Sequence, residues 1–455
     1  MVAIALNLQI DEKIAVLGLG LTGMSIVRFL KNQNLNVVVF DSRVSPPERK
    51  ALADEFPSVP FINSEFSEAL SSDFSQLVIS PGLSPELVMI KDAIERDVDV
   101  IGDVELFARY VKTPVVAITG SNGKSTVTSM VHEMALKAGL NSAIGGNIGT
   151  PVLDLLEQEK EVDLFVVELS SFQLESISSL KPKVSVVLNI SADHMDRYVS
   201  LAEYANTKAK IYRAAEICII NSEDSMVAEM VADAQSIISF GEREPGADET
   251  SYGFREIEGV LWLAKGKQNL ISSRDLLIIG KHNYQNALAA LALAEAIDIS
   301  LENALQALRE FSGLQHRSEF VVESDGVSWF NDSKGTNVGA TIAAINGLEG
   351  EIVLIAGGKS KGAEFSELRA TVNEKVKAVV LMGEDAEIIK QAFSDATPVF
   401  IENDMAGAVC RANELACQGD NVLLSPACAS FDMYENYQQR GEVFKSEVIK
   451  MVNLK

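Results

Sequence analysis

"AITGSNGKSTVTSM" (Ala117–Met130) runs from apolar residues into a Gly-rich polar turn and out into a helical pattern. A buried strand ends at Gly120 and a helix begins around Lys124, with Ser121, Asn122 and Gly123 between them and Ser125 and Thr126 following. Glycines let backbone N–H groups converge on phosphate oxygens. The helix N-terminus adds a partial positive charge. Lys124 supplies a full one, and Ser125 can place a hydroxyl on Mg²⁺. A complete G-x-x-x-x-G-K-[ST] loop would also carry Gly at position 118, where this chain has Ile118. A plain strand–turn–helix join is the competing reading. Gly-Lys-Ser between a buried strand and a helix is specific enough to outweigh it, so the stretch predicts an ATP or GTP site.

Strand-like apolar runs alternate with helical patterns on both sides of this loop. Upstream lie "IAVLGLG" from Ile14, Val37–Phe40 and Leu77–Gly82. Downstream lie Leu164–Ser171, Val184–Ile190 and Ile217–Asn221, then a third series at Glu351–Gly358, Val376–Gly383 and Asn421–Ala427. Such runs, each ending near Gly or Asp, read as buried parallel strands. Ser236–Gly266 reads as a small antiparallel insert and Asn286–Ile297 as a strong helix. The expectation is an α/β protein of three domains. Residues 1–102 form an N-terminal Rossmann-like parallel sheet, 103–313 a central P-loop ATPase-like domain with the insert, and 314–455 a C-terminal Rossmann-like domain. A chain of 455 residues suits three domains.

The formal net charge is −25, which argues against a nucleic-acid-binding surface. An acidic protein must bind anionic substrates in local positive pockets, so isolated Lys and Arg carry weight. Cys218, Cys410, Cys417 and Cys428 form no C-x-x-C pair or zinc spacing and read as thiols of a reducing cytosol. "MVAIALNLQIDEK" has no basic leader, and no apolar stretch is long enough to span a bilayer. A cytoplasmic monomer without membrane insertion is expected.

A second glycine pattern precedes the first. "AVLGLGLTGMS" (Ala15–Ser25) places Gly18, Gly20 and Gly23 between a strand and a helix, with Asp41 eighteen residues past Gly23. That is a dinucleotide-binding fingerprint. A nicotinamide oxidoreductase would explain it, but would leave the phosphate loop and the strand-end Glu168 of "VVELSSFQLE" without a role. A carboxylate at a strand end beside a phosphate loop is well placed to hold Mg²⁺.

"TGSNGKST" resembles the ATP-binding loop of the Mur ligase family, T-G-[ST]-N-G-K-[ST]. The family joins amino acids to a UDP-linked muramic acid in peptidoglycan synthesis, and includes folylpolyglutamate synthetases and cyanophycin synthetase. Matching motifs run from Ile14 to about Lys445. The resemblance implies an ATP-dependent amide ligase with two Mg²⁺ ions, held by Ser125, Glu168 and His194 of "LNISADHMDRY". His194 could also take a proton from the attacking amine. The resemblance further implies that Lys208 of "EYANTKAKIY" is carbamylated by CO₂, giving an oxygen anion suited to a hard cation. Lys210 is the nearby competitor.

Asn283 and Asn286, after His282 in "GKHNYQNALAALA", lie by the adenine in the family. Amide side chains at a helix start can equally cap it. "GLQHRSEF" carries His316 and Arg317 at the second boundary. Arg suits bidentate phosphate contact, and a domain junction is where a closing enzyme places it. "WFNDSKGTN" holds Asp332, Lys334 and Thr336, a polar turn that in the family reaches back to the nucleotide and the reacting groups.

Specificity comes from the two ends. "GGKSKGAEF" and "LLSPACASFDMYENYQQRG" resemble the branch that adds D-glutamate. Lys361 can hold one of its carboxylates, and Ser430, the backbone at Phe431 and Thr336 can donate hydrogen bonds. Tyr437 stands where the family often has Phe. The Asp-Asn-Pro-Arg motif of the diaminopimelate-adding relative is absent from the sequence. At the other end, Gly18, Gly20, Leu21, Thr22 and Gly23, with Asp41, Ser42, Arg43, Ser80, Gly82 and Asn147, match the family's UDP site. Asp41 can accept hydrogen bonds from uracil or ribose, and Arg43 adds charge. The implied substrates are ATP, UDP-N-acetylmuramoyl-L-alanine and D-glutamate, joined through an acyl phosphate and a tetrahedral intermediate. A sister ligase adding L-alanine to UDP-N-acetylmuramate shares the N-terminal fingerprint and is the alternative.

Overall fold

The computed structural model describes residues 13–67, 70, 74–231, 236–247, 249–360, 364–393 and 397–453. Three sheets follow one another along the chain. The first holds β1 (Lys13–Leu17), β2 (Asn36–Asp41), β3 (Phe61–Asn63), β4 (Phe74–Ile79) and β5 (Asp99–Gly102), all parallel, in the order β3-β2-β1-β4-β5. Val16 faces Val39 on one side and Val78 on the other, so apolar β-branched residues fill both neighbours' rows.

The second sheet holds β6 (Val115–Thr119), β7 (Ser142–Gly146), β8 (Leu164–Glu168), β9 (Val184–Val187), β10 (Ile217–Asn221), β11 (Ile237–Phe240), β12 (Ser251–Ile257), β13 (Val260–Lys265) and β14 (Gln268–Ser272). Their order is β14-β13-β12-β11-β10-β9-β6-β8-β7. The antiparallel segment expected over Ser236–Gly266 is an extension of this sheet rather than a separate unit. Its first strand, β11, runs parallel to both β10 and β12, and only β12, β13 and β14 alternate. Phe240, Tyr252, Phe254 and Leu263 supply the reason, because all four join the core around the helix Lys281–Ala296. That helix begins five residues before the expected Asn286, and Ala287–Ala294 are all buried.

The third sheet holds β15 (Glu319–Ser324), β16 (Val327–Asn331), β17 (Ile352–Gly357), β18 (Val376–Met382), β19 (Val399–Ile401) and β20 (Asn421–Leu424), in the order β15-β16-β20-β17-β18-β19. It opens with the antiparallel pair β15–β16 and is otherwise parallel.

The sheets are joined differently. One apolar core runs through the first and second, with Phe107 edge-on to Phe165 at 5.6 Å between ring centroids. The third has its own cores on its two faces. Parallel strands place ligands beyond their C-terminal ends, and the glycines and acids singled out above lie there: Gly18 after β1, Gly120 after β6, Glu168 at the end of β8 and Asp332 after β16.

Candidate active site

The phosphate loop is held open by β9's continuation. Asn122 N–H donates to Asn189 Oδ1 at 2.8 Å, and Ser121 N–H to the Asn189 carbonyl at 2.9 Å. Gly123 has φ +82°, and a Cβ there would stand 2.4 Å from Asn286 Oδ1, so Asn286 packs directly on the loop. Lys124 Nζ donates back to the carbonyls of Gly120 (2.8 Å) and Ser121 (2.9 Å). Burial lowers the Lys124 pKa against the pull of Glu168 and Asp193.

A cavity of about 260 Å³ adjoins this loop. Asn122, Gly123 and Thr126 line it from the second sheet, together with Asn283 and Asn286 from the helix Lys281–Ala296. Arg317, Asp332 and Lys334 close it from the third sheet's side. The amides do not cap that helix: its N-cap, Gly280, makes no side-chain bond, and Asn283 Nδ2 instead donates to the Ile279 carbonyl at 2.8 Å. Arg317 Nη2 donates to Ser125 Oγ at 3.0 Å, tying the two sheets together across the cavity. Burial raises the Asp332 carboxyl to about 6 and lowers the Lys334 amine to about 8.

Glu168 is 1 % exposed. Its Oε1 accepts from Asn147 Nδ2 at 2.7 Å, and its Oε2 is buried without a partner. An unsatisfied buried carboxylate oxygen next to a phosphate loop fits a divalent cation. Among the described residues there is no group of three or more His, Cys, Asp and Glu placed to hold a metal unaided. His194, at φ +56°, packs its ring edge-on to Phe172 at 4.7 Å. Lys208 is 1 % exposed, and its Nζ donates to the Gly120 carbonyl at 2.9 Å and to Thr119 Oγ1 at 3.3 Å. Desolvation, then the neighbouring Lys124 charge, push its pKa well below the usual lysine value.

A second cavity, of about 600 Å³, lies at the C-terminal end of the first sheet. Gly18, Gly20, Leu21, Thr22, Asp41, Ser42, Arg43, Ser80, Gly82 and Asn147 all line it. Gly23 does not: a Cβ on it would stand 1.9 Å from the Gly18 carbonyl oxygen, so it lets helix and turn touch rather than meeting a ligand. Asp41 is 2 % exposed, and its carboxylate already accepts from Leu19 N–H, Arg43 N–H and the Arg43 guanidinium at 2.7–2.9 Å. Burial alone would raise its pKa, but these bonds outweigh it and the net shift is downward. With those acceptor positions filled by the chain, Asp41 braces the turn, which limits its use as an acceptor for uracil or ribose.

In the third sheet's domain, Lys334 Nζ sits 3.9 Å from the Tyr437 ring centroid. Ser430 is buried, whereas Phe431 is 68 % exposed. Thr336 N–H donates to the Lys334 carbonyl at 2.8 Å. Lys361 lies outside the described residues.

Three residues escaped the sequence reading. Asp193 acts electrostatically on Lys124, Lys208 and Lys334. Asn189 shapes the phosphate loop. Phe172 lines the 600 Å³ cavity and touches His194. Adjacency to His194 and to the "ELSS" strand end were the available signals.

The three-sheet fold, with a phosphate-type loop after β6 and a Gly-rich turn after β1, is that of an α/β nucleotide-dependent enzyme. Residues 12–102 match the Mur ligase MurD-like N-terminal domain, 118–294 the Mur ligase middle domain and 316–428 the Mur ligase glutamate ligase domain. The chain is 47 % identical over 447 residues to the UDP-N-acetylmuramoylalanine–D-glutamate ligase of Nitrosococcus oceani, covering 98 % of each chain. It is 48 % identical over 437 residues to the enzyme of that name from Pseudomonas syringae pv. syringae, covering 95 % of this chain and 97 % of the other. The solved structure of the UDP-N-acetylmuramate-alanine ligase of Thermotoga maritima shares the fold, at TM-score 0.60 and 18 % identity, over 96 % of this chain and 99 % of the other. The chain belongs to the Mur ligase family.

Proposed function

We infer that the protein joins D-glutamate to UDP-N-acetylmuramoyl-L-alanine by an ATP-driven amide bond, in the assembly of peptidoglycan precursors. The observation that carries this reading is the Asn147–Glu168 hydrogen bond. Asn147 lines the cavity of the Gly-rich turn, and Glu168 faces Ile118 across the β6–β8 ladder, at the root of the phosphate loop. This bond joins the cavity read as the UDP-substrate site to the strand end beside the phosphate loop, which supports the coupling of the two substrates. The relatives named above are D-glutamate ligases, which supports D-glutamate as the third substrate.

A carboxylate is a poor electrophile, so it is first activated. The terminal carboxylate of the substrate attacks the γ-phosphorus of ATP, ADP leaves and an acyl phosphate forms. Lys124 and Arg317 offset the developing charge, which is the main task in phosphoryl transfer. The neutral amine of D-glutamate then attacks the acyl carbon, its nitrogen gives up one proton to His194 or to water, and the tetrahedral intermediate collapses to the amide with loss of phosphate. Asn283 and Asn286 hold the adenine, and Asp332 and Lys334 border the phosphates. Thr336, Lys361, Ser430, Phe431 and Tyr437 hold D-glutamate.

Ser125, Glu168, His194 and a carbamate on Lys208 are the groups that would hold two Mg²⁺ ions, whose part when bound is to neutralise phosphate charge. The carbamate reading comes from the family resemblance, and the burial of Lys208, which lowers its pKa and so favours the neutral amine that adds to CO₂, supports it. Residues 1–102 take the UDP substrate, 103–313 ATP and 314–455 the amino acid, in a monomer. Among the described residues no helix is long and apolar enough to cross a membrane. The need for nucleotide-bearing substrates supports a cytoplasmic reaction.

The test is phosphate release from ATP with UDP-N-acetylmuramoyl-L-alanine and each amino acid in turn. Release with D-glutamate alone is expected. Release with L-alanine and UDP-N-acetylmuramate, but not with D-glutamate, overturns the assignment.

A further inference from the structure

Arg197 ends the "ADHMDR" run that also carries His194, yet none of the roles above uses it. Its side chain is 14 % exposed and every edge of its guanidinium is engaged. Nη2 donates to the Leu83 carbonyl at 2.8 Å and Nη1 to the Gly82 carbonyl at 3.5 Å, both on the turn that follows β4. Nε donates to Glu175 Oε1 at 3.0 Å, and Nη2 also pairs with Glu175 Oε2. The Tyr198 hydroxyl donates to the same Oε1 at 2.8 Å. The guanidinium carbon lies 4.4 Å over the centroid of the Phe172 ring, whose edge meets His194.

These contacts join two parts of the site. On one side, the turn Ser80–Leu83 forms a wall of the 600 Å³ cavity: Ser80 Oγ holds the Gly18 carbonyl at 3.1 Å, and Arg197 holds the far end of the same turn. On the other side, Arg197 N–H donates to the His194 carbonyl at 2.9 Å, closing the turn that gives His194 its left-handed backbone. From Tyr198 the aromatic contacts continue to Tyr204 at 5.2 Å, whose hydroxyl meets Ser121 Oγ at 3.2 Å and whose ring lies 4.7 Å from Lys208 Nζ. Behind the guanidinium opens a separate cavity of about 690 Å³, lined by Arg197, Glu175, Tyr198 and Lys210. Pro81, Leu83 and Phe172 line both spaces and form the partition between them, and Arg197 braces that partition from the 690 Å³ side.

We propose that Arg197 is a positioning residue that fixes the Gly82–Leu83 wall of the UDP-substrate pocket and aligns it with His194 and the phosphate loop. It touches no reacting atom and acts through two backbone carbonyls and the Phe172 ring. A fork with several fixed donors can hold carbonyls and carboxylate at once, whereas an ammonium is a single point of charge. The inference rests on the reading of the 600 Å³ cavity as the UDP-substrate site.

The experiment measures binding of UDP-N-acetylmuramoyl-L-alanine and, separately, of a non-hydrolysable ATP analogue by calorimetry, with melting temperatures, for wild type, Arg197→Met and Arg197→Lys. Met keeps the apolar stem over Phe172 and removes the fork. Losing charged hydrogen bonds to the wall should weaken the UDP substrate roughly tenfold, leave the ATP analogue within about twofold, and be only partly rescued by Lys. If Arg197→Met does not fold, Glu175→Gln, which loosens the same fork, is read the same way with a smaller loss. Unchanged affinity for the UDP substrate, or equal losses for both ligands, overturns the inference. Failure of the wild-type protein to bind the UDP substrate at all would instead overturn the assignment of the cavity.

Discussion

Lys208 and Lys210 are two residues apart, on a helix end that composition alone would call solvent-facing. The fold separates them. Lys208 Nζ points at the Gly120 carbonyl, while Lys210 Nζ donates to the Glu175 carbonyl at 2.6 Å, on the side of the 690 Å³ cavity. A buried ammonium is costly unless it is paired by charge, and the groups bonded to Lys208 are neutral oxygens. Carbamylation replaces that cation with an anion, which the neighbouring Lys124 charge favours and a bound divalent cation would neutralise. Lys208→Ala is therefore expected to lose at least about a hundredfold in kcat, the scale of removing one preorganised electrostatic group. Added short carboxylic acids should restore part of it by occupying the vacated space. Full activity in the unsupplemented variant would sink the carbamate. The residues that sequence made legible, Gly120 to Thr126 above all, are those whose chemistry is local to one turn. Asp193 was not legible, because an acid in a polar loop looks solvated until the fold sets three lysines around it.

The helix Asp103–Tyr110 follows β5 directly and begins with two buried acids. An acid in a first turn is normally favoured by the helix dipole. Here Asp103 Oδ2 accepts from Gln173 Nε2 at 3.1 Å while Oδ1 is buried without a partner, and burial raises the carboxyl to about 6. The unfolded chain would release that proton near pH 4. Between about pH 4 and pH 6 the folded form thus binds more protons, so the group's contribution is present at the low end and is lost as pH rises through 6. Asp103→Asn keeps an acceptor for Gln173 and has no titration. The urea midpoint of the variant minus that of wild type should rise between pH 5 and pH 7.5, and a flat difference would refute the buried-acid account. At this scale the central parallel strands were readable, because each is an unbroken apolar run. The edge strands β15 and β19 were not assigned: β15 alternates half-buried and exposed residues, and β19 has only three residues. The antiparallel strands were read as an insert because periodicity reports which face is buried, not which sheet buries it.

Across the whole molecule the two junctions differ in kind. The first and second sheets share an apolar core, which favours a fixed relation between them. The third sheet meets the phosphate loop through polar contacts, Arg317 to Ser125 at 3.0 Å and Asn337 Nδ2 to Asn122 Oδ1 at 3.1 Å and to Asp193 Oδ2 at 3.4 Å. Polar contacts of this size lose little when water replaces them, so the C-terminal domain is expected to be the one that opens for ligand exchange, and ATP held between the two walls would close it. Asn337 allows a clean test, since its Oδ1 also caps the following helix by accepting from Ala340 N–H at 2.8 Å. Asn337→Asp keeps the cap, which Asp fills as well as Asn, but sets a carboxylate beside Asp193 and removes the donor. The variant should melt within a few degrees of wild type, show a larger radius of gyration by X-ray scattering, and raise the KM for ATP roughly tenfold, as expected for losing about 1.5 kcal/mol of contact. Added salt should recover part of the loss by screening the new repulsion. An unchanged radius together with an unchanged KM would mean that docking does not depend on this contact, and the apolar–polar asymmetry of the junctions would then say nothing about which domain moves.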